Sequence, residues 1–263
     1  LSHSTLSVCL IVKDEQALLP GALASVAFAS EVVVGIDSRT TDSTVLIARK
    51  AGARVHDFDW EDSFSAARNL GIKKARKDWI LIIDADDRVT SWGHYMISQT
   101  MRQPRADVDA YGFQIQNRRL DDTVQEVDAL PSIRLFPNHR GIHYENRVHE
   151  VLRAKDGSPL RLGWLRGGIG MVTYGYDPAI YQLRDKDRRN TTLLAKQLQE
   201  QPHDRVSWYE LACQHSYEGR MALACEAATI AMQLPGNLRP ELVKDLEKIL
   251  NSQSLDTNVG ART

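Results

Sequence analysis

Cysteine is scarce in this 263-residue chain: Cys9, Cys213 and Cys225 are the whole supply. Three scattered thiols with no CxxC pair exclude a disulfide framework. Cys9, inside the apolar run LSVCLIV, reads as a buried small hydrophobe. Long apolar runs are missing as well. No stretch approaches the roughly 18–20 residues of a membrane span, and Val32–Val34 and Trp79–Ile83 have only strand length. Neither sign of charge dominates: 33 Lys+Arg stand against 34 Asp+Glu, a net charge of −1. That argues against a dedicated nucleic-acid binder, which carries a basic excess or stripe. No charged-then-apolar segment of signal-peptide type opens the sequence. Together with unpaired thiols, which suit a reducing compartment, this gives the expectation of a cytoplasmic protein. GxSxG, P-loop, HExxH and zinc-ligand patterns are also absent.

What is present is ordinary for a folded protein, with 43% hydrophobic and 25% charged residues. The first ninety residues alternate. Leu6–Val12, Glu31–Asp37, Arg54–Asp59 and Trp79–Asp84 read as strands, separated by helical stretches ending near Phe28, Ala51 and Arg76. Thr41–Thr44 supplies N-cap residues and Gly52 a C-terminal stop for the second helix. Strand alternating with helix predicts right-handed βαβ units and a mainly parallel sheet. The continuous apolar runs predict strands covered on both faces.

The middle reads as a mixed or antiparallel extension, with strands over Val108–Arg118, Ser132–Phe136, His143–Val151 and Ile169–Tyr176 and few helices between them. From Asp177 the chain turns helical, with helices predicted over 178–200, 204–216, 220–233 and 238–251. Trp208, Leu211, Ala212, Gly219, Ala224, Ala228 and Ala231 follow the offsets of one tetratricopeptide repeat. A lone repeat cannot bury its own face and is expected to pack on a neighbour. The last residues, from Asn251 on, are polar and expected to fray. The expected division is an α/β domain over 1–176 and a helical region over 177–263.

The chemistry gathers at strand ends. In WILIIDADDR an apolar strand runs into Asp84, Asp86 and Asp87. If the strand continues, Asp84 and Asp86 share one side, at the carboxyl edge where parallel α/β sheets bind ligands. Such carboxylates repel unless a positive group neutralises them. A hard divalent cation shared with phosphate oxygens is a natural partner. A solvated turn is the plain alternative. The other strand ends are polar too: Lys13-Asp14-Glu15, Asp37-Ser38, and Asp62-Ser63 leading to Arg68. Asp37 is suited to accept hydrogen bonds from a base or ribose, and Arg68 to balance acid or diphosphate.

The segments LSVCLIVKDEQALLPGALASV, VVVGIDSRTTDSTVLIARKAGARV and FSAARNLGIKKARKDWILIIDADD resemble the nucleotide-sugar half of family 2 glycosyltransferases, which have the GT-A fold. The resemblance is specific over about residues 5–90 and weaker to about 151 through SIRLFPNHRGIHYENRVHEVL. It points to a bacterial branch with a tetratricopeptide-like tail, since Gly175-Tyr176, Lys186 and Arg189-Asn190 stand where that branch carries such residues. It implies sugar transfer, with inversion, from a nucleotide-diphosphate donor of UDP-sugar type to a hydroxyl or thiol. The acceptor would be a glycan, a lipid-linked molecule or a peptide. Val12, Lys13 and Glu15 would lie at the nucleoside pocket, Asp37 at the base and Arg68 near the donor. Asp84-Ala85-Asp86 would be the Asp-x-Asp motif, Asp84 nearer the ribose or sugar and Asp86 nearer a Mn²⁺ or Mg²⁺ ion.

A base must take the acceptor's proton, and HYENRVHEV offers Glu145, His149 and Glu150. Family position ranks Glu150 first, with His149 as base or metal ligand beside Asp84 and Asp86. Strand alternation would put Glu145 and His149 on one face and Glu150 on the other, unless a turn intervenes. The alternative for Glu150 is a salt bridge to Arg147 or Arg153. Two departures from the family pattern stand out. Arg39 replaces a common Gly and is read as solvated. Thr173 replaces a common His, which puts metal binding in question. A nucleotidyltransferase is disfavoured because no glycine follows strand one until Gly21. A catalytically inactive sugar-nucleotide or peptide-binding scaffold is the other alternative. A homo-oligomer formed through the tail is compatible with the sequence.

Overall fold

The computed structural model describes residues 4–124 and 131–259. Its first half is the predicted alternation: β1 (Leu6–Val12), α1 (Leu19–Ser25), β2 (Glu31–Asp37), α2 (Thr44–Lys50), β3 (Arg54–Phe58), α3 (Phe64–Lys74) and β4 (Trp79–Ile82). These strands lie parallel in the order β3-β2-β1-β4. Alternation divides their side chains between two cores. Val8, Leu10, Val12 and Leu81 enter one, while Cys9, Val33, Ile80 and Ile82 enter the other. A strand that serves two cores needs apolar residues at every position, which is why these runs do not alternate. Cys9 is 3% exposed, and burial pushes its thiol up to about 12, so it packs as a hydrophobe.

The sheet then turns mixed. The further elements are β5 (Asp87–Val89), α4 (Ser91–Arg102), β6 (Ala110–Asn117), β7 (Pro131–Pro137), β8 (His143–Glu145), β9 (Val151–Arg153), β10 (Leu162–Leu165) and β11 (Met171–Thr173). β7 joins the edge of β4 antiparallel, and the order runs on through β6, β11 and β5, with β10 also on β6. The antiparallel register Trp79↔Pro137, Leu81↔Leu135 sets the first half of β7 beside the carboxyl end of β4. β8 and β9 form a separate hairpin.

Three features of this half differ from expectation. The single strand expected over His143–Val151 breaks after Glu145, because Asn146 (φ 75°) and His149 (φ 51°) take left-handed backbone. Helix α4 and strand β10 lie in stretches for which no element was predicted. α4 starts because Thr90 Oγ1 accepts a hydrogen bond from Gly93 N at 2.9 Å. Its first turn then rests on the 170 backbone, where a Cβ on Gly93 would meet the Gly170 carbonyl oxygen at 2.0 Å. That close approach is invisible in a one-dimensional pattern.

The chain divides into two compact units, one ending at Arg184 and the other beginning at Asp185. Helix α5 (Pro178–Leu183) closes the first, its Asp177 cap accepting from Ala179 N at 2.9 Å. The single helix expected over 178–200 therefore breaks, at a left-handed Asp185 (φ 43°). The second unit holds α6 (Lys186–Glu200), α7 (Arg205–Tyr217), α8 (Met221–Gln233) and α9 (Pro240–Val259). Ala212, Ala224, Ala228 and Ala231 are fully buried, the small residues that a close helix crossing requires. Gly219 (φ 73°) ends α7, and Arg220 N returns to the His215 carbonyl at 2.8 Å, a left-handed helix stop. The fraying expected from Asn251 is not seen in the backbone up to Val259, which stays helical; residues 260–263 lie outside the described residues. Among the described residues no helix is long and apolar enough to cross a membrane.

Candidate functional site

The carboxyl ends of β1, β2 and β4 lie side by side because these strands are parallel neighbours. β1 ends at Val12, 4% exposed, and delivers Lys13 and Glu15. Lys13 is about half exposed beside Asp14, and Glu15 is held by its backbone N–H on Thr44 Oγ1 at 2.7 Å. β2 ends on the buried Asp37. β4 ends at Ile82, and the chain then folds into a tight turn, Asp87 N donating to the Asp84 carbonyl at 3.0 Å and Asp84 N to Asp87 Oδ2 at 2.9 Å. Arg88 braces the turn, its guanidinium donating to the Ala85 and Asp87 carbonyls and to Leu18 O. Ala85 is buried within it.

That turn alters the expected geometry. Asp84 and Asp86 were expected on one side of a continuing strand, yet they take different partners. Asp84 Oδ1 accepts from Arg68 Nη2 at 2.9 Å and its Oδ2 from Arg134 Nη1 at 3.2 Å. Asp86 Oδ2 accepts from Arg184 Nη1 at 2.8 Å. Alternation fails because the strand has already ended at Ile82. Asp87 is 2% exposed, with Arg134 Nη2 at 3.8 Å.

Glu150 joins the same network. Arg68 Nε donates to Glu150 Oε1 at 2.6 Å, so one guanidinium grips both Glu150 and Asp84. Arg68 is 8% exposed and lies 5.8 Å from the centre of the Tyr144 ring. The alternative partners considered for Glu150 are engaged elsewhere: Arg153 faces Glu145, and Arg147 Nη1 donates to the Glu61 and Asp62 carbonyls. Glu145, also a candidate base, is turned away. Tyr144 of β8 packs into the core, so its strand neighbour Glu145 points the other way, to His143 at 3.2 Å and Arg153 at 3.8 Å. His149 is exposed in the turn after β8. The turn, not alternation, sets its direction.

Burial and charge fix the protonation of this cluster. Burial opposes charge on Asp84, but Arg68 and Arg134 outweigh it and hold the carboxyl well below the usual range. Burial pushes Asp87 up to about 6, Arg134 opposing it while Asp84 and Asp86 add to it. Burial also raises Glu15, against the pull of Arg184. Burial works against the Arg68 charge, and Asp84 and Glu150 more than restore it. Five carboxylates (Glu15, Asp84, Asp86, Asp87 and Glu150) thus share three guanidinium groups. An oxygen-rich cluster with an excess of negative charge suits a hard divalent cation. Among the described residues, however, no three His, Cys, Asp or Glu side chains stand close enough to hold an ion by themselves. His149, Asp84 and Asp86 do not stand together as such a group. A cation here would rest on one or two aspartates and take its remaining oxygens from a ligand.

Two participants escaped the sequence reading, Arg134 and Arg184. Arg134 is the one charged residue of SIRLFP, and a charge inside an apolar strand was the available signal; its partner follows from the β4–β7 pairing alone. Arg184 opens the mixed-charge run RDKDRR, which carries no such signal. Its Nη2 reaches Glu15 Oε1 at 2.5 Å. Arg39, read as solvated, is half exposed but grips Asp37 through two bonds, Nε to Oδ1 at 2.9 Å and Nη2 to Oδ2 at 2.6 Å. Thr173 is buried in β11, opposite Asp87.

Residues 7–152 match the family model described as glycosyl transferase family 2. The chain is 36% identical over 146 residues to a TPR repeat-containing protein of Synechococcus elongatus, an alignment covering 56% of this chain and 35% of that protein. It is 25% identical over 209 residues to the SPbeta prophage-derived glycosyltransferase SunS of Bacillus subtilis, covering 76% and 46%. The chain thus spans about a third to a half of the curated relatives it matches. A crystal structure of S. aureus TarS is similar in fold, with a TM-score of 0.51 at 14% identity, covering 96% of this chain and 92% of that one. The mainly parallel sheet with a mixed extension is accordingly the GT-A arrangement, followed by a helical region. With the family model matching more than half its length, the chain belongs to glycosyl transferase family 2.

Proposed function

We propose that the site binds a nucleotide-diphosphate sugar of UDP-sugar type and transfers the sugar, with inversion, to an acceptor hydroxyl or thiol. The α/β unit, which runs to Arg184 rather than to 176, would carry the catalysis, and the helical unit from Asp185 would recognise the acceptor, a glycan, a lipid-linked molecule or a peptide. The observation that carries this reading is the meeting of Asp84, Asp86, Glu15 and Glu150 at one edge of the sheet, with Arg68 linking Asp84 to Glu150. A donor-side and an acceptor-side carboxylate are thereby held a guanidinium's width apart.

In this reading Val12, Lys13 and Glu15 frame the nucleoside, and Asp37 meets the base. Asp84 lies toward the ribose or sugar. Asp86 would hold Mn²⁺ or Mg²⁺ together with the diphosphate, and the cation supplies charge stabilisation to the departing phosphate. The acceptor oxygen or sulfur forms its bond to the anomeric carbon as the bond to the diphosphate oxygen breaks. Glu150 takes the proton, and the nucleoside diphosphate leaves with the electron pair. Arg68 Nη1 is buried without a hydrogen-bond partner. A donor left so costs about 1–3 kcal/mol.

Isothermal titration of UDP in Mn²⁺ tests the donor site. Binding to the wild type and its loss in Asp86→Ala support the reading. No UDP binding by the wild type in saturating Mn²⁺ would sink it. Transfer is tested by mass spectrometry of donor and acceptor, where Glu150→Gln is expected to keep UDP binding and lower turnover at least about 100-fold.

A further inference from the structure

Arg184 stands where a cation belongs. It is the last residue of the α/β unit, directly after α5. Its Nη1 donates to Asp86 Oδ2 at 2.8 Å and its Nη2 to Glu15 Oε1 at 2.5 Å. The side chain is 20% exposed, and those of its two partners 7% and 15%. One guanidinium thus bridges the loop after β1 and the Asp-x-Asp turn, which β1–β4 pairing has placed side by side. Without it, two poorly hydrated carboxylates would face each other. The fork of a guanidinium matches two carboxylates in a way that a lysine ammonium cannot.

A divalent cation placed on Asp86 meets a conflict. One of the two carboxylate oxygens, Oδ2, is already occupied, and the occupant is itself positive. A cation arriving alone competes with Arg184 for Asp86 and brings no new partner for the guanidinium. A cation arriving with a diphosphate brings two or more negative charges, enough for both the metal and Arg184.

Resting on the donor-site reading above, we propose that Arg184 is a donor-positioning residue that makes cation and diphosphate bind together: it holds Asp86 in the ligand-free protein and exchanges onto the diphosphate when both arrive. Binding of metal and nucleotide is then strongly coupled, and by linkage each raises the affinity of the other by the same factor.

The test measures Mn²⁺ binding by electron paramagnetic resonance with no nucleotide, then UDP binding by calorimetry at saturating Mn²⁺, for wild type, R184Q and R184K. The expected result for R184Q is Mn²⁺ binding at least about 5-fold tighter without UDP and UDP binding about 10-fold weaker with Mn²⁺, so that the coupling factor shrinks. R184K keeps the charge and is expected to exclude Mn²⁺ nearly as the wild type does. Unchanged or weaker Mn²⁺ binding by folded R184Q overturns the proposal. Should R184Q fail to fold, the wild type decides. The Arg184 Nε–H resonance, assigned with R184K, is expected to move on adding Mg²⁺ and UDP together but not with Mg²⁺ alone. An unmoved resonance overturns the exchange. If the wild type binds no UDP in Mn²⁺, the donor-site reading itself has failed, a result distinct from either of these.

Discussion

The two units bury polar groups in different ways. In the α/β unit, Arg68, Asp86 and Asp87 are each less than a tenth exposed and belong to two adjacent ion clusters, Arg68 and Arg134 with Asp84, Asp87 and Glu150, and Arg184 with Glu15 and Asp86. In the helical unit the buried polar groups form smaller sets, such as Gln197 on Ser207 at 2.5 Å and Glu218 with Thr191, Gln214 and Arg220, set beside a core of alanines and leucines. Buried charge is costly unless paired. The place of these clusters at one strand edge is what the proposed donor site rests on.

Removing Arg68 should separate the units most sharply. Arg68→Ala leaves Asp84 with Arg134 and strips Glu150 of the guanidinium that grips it. Breaking a buried pair from one side costs about 3–5 kcal/mol, to be read from urea unfolding, with UDP binding lost. A cost below about 1 kcal/mol would place the network among ordinary surface ion pairs. Next in size is Leu211→Ala in α7. Leu211 is 7% exposed, and such a truncation costs about 2–5 kcal/mol. UDP affinity is expected to stay near wild type while the variant remains folded. A matching fall in UDP affinity would break the contrast between a working unit and a packed one.

Asp87 gives a pH signature. Its folded value lies near 6, above its ordinary 3.8, so between these values the folded state binds more protons than the unfolded one. Stability then falls as pH rises through that window. Asp87→Asn cannot titrate, so its stability relative to wild type should grow from pH 4 to pH 6 and level off above, as read from thermal midpoints. A constant difference would show an ordinary carboxyl. Asp84, held low, acts in the opposite sense, losing its contribution only as pH falls below the usual carboxylate range. The smallest effect is at a cap. Asp204→Ala removes the acceptor for Val206 N and should cost about 1 kcal/mol, lowering the unfolding midpoint without touching UDP binding. A fall in UDP affinity there would again join what the comparison separates.

The parallel half was legible because its apolar runs are continuous and its polar breaks regular. Leu6–Val12 and Glu31–Asp37 match β1 and β2 at both ends. The Asp triplet announced itself by following such a run. Elsewhere the pattern misled. His143–Val151 looks like one strand, but Asn146 and His149 turn it. The 178–200 stretch keeps helical periodicity across Asp185, where the backbone is left-handed. α4 depends on the contact of Gly93 with Gly170, 77 positions along, which no local window contains.

The sequence by itself determined which strand ends carry acid, because hydrophobic period and breaker residues are local properties. It determined the family through its first ninety residues, and it placed Glu15, Asp37, Asp84, Asp86 and Glu150 on one list of candidates. Only the tertiary structure decided how those charges are balanced. Arg68 meets Glu150 across 82 positions, Arg134 meets Asp84 across 50, and Arg184 meets Glu15 across 169. Ion pairing depends on distance in space and on the water excluded around it, and neither is written in sequence separation.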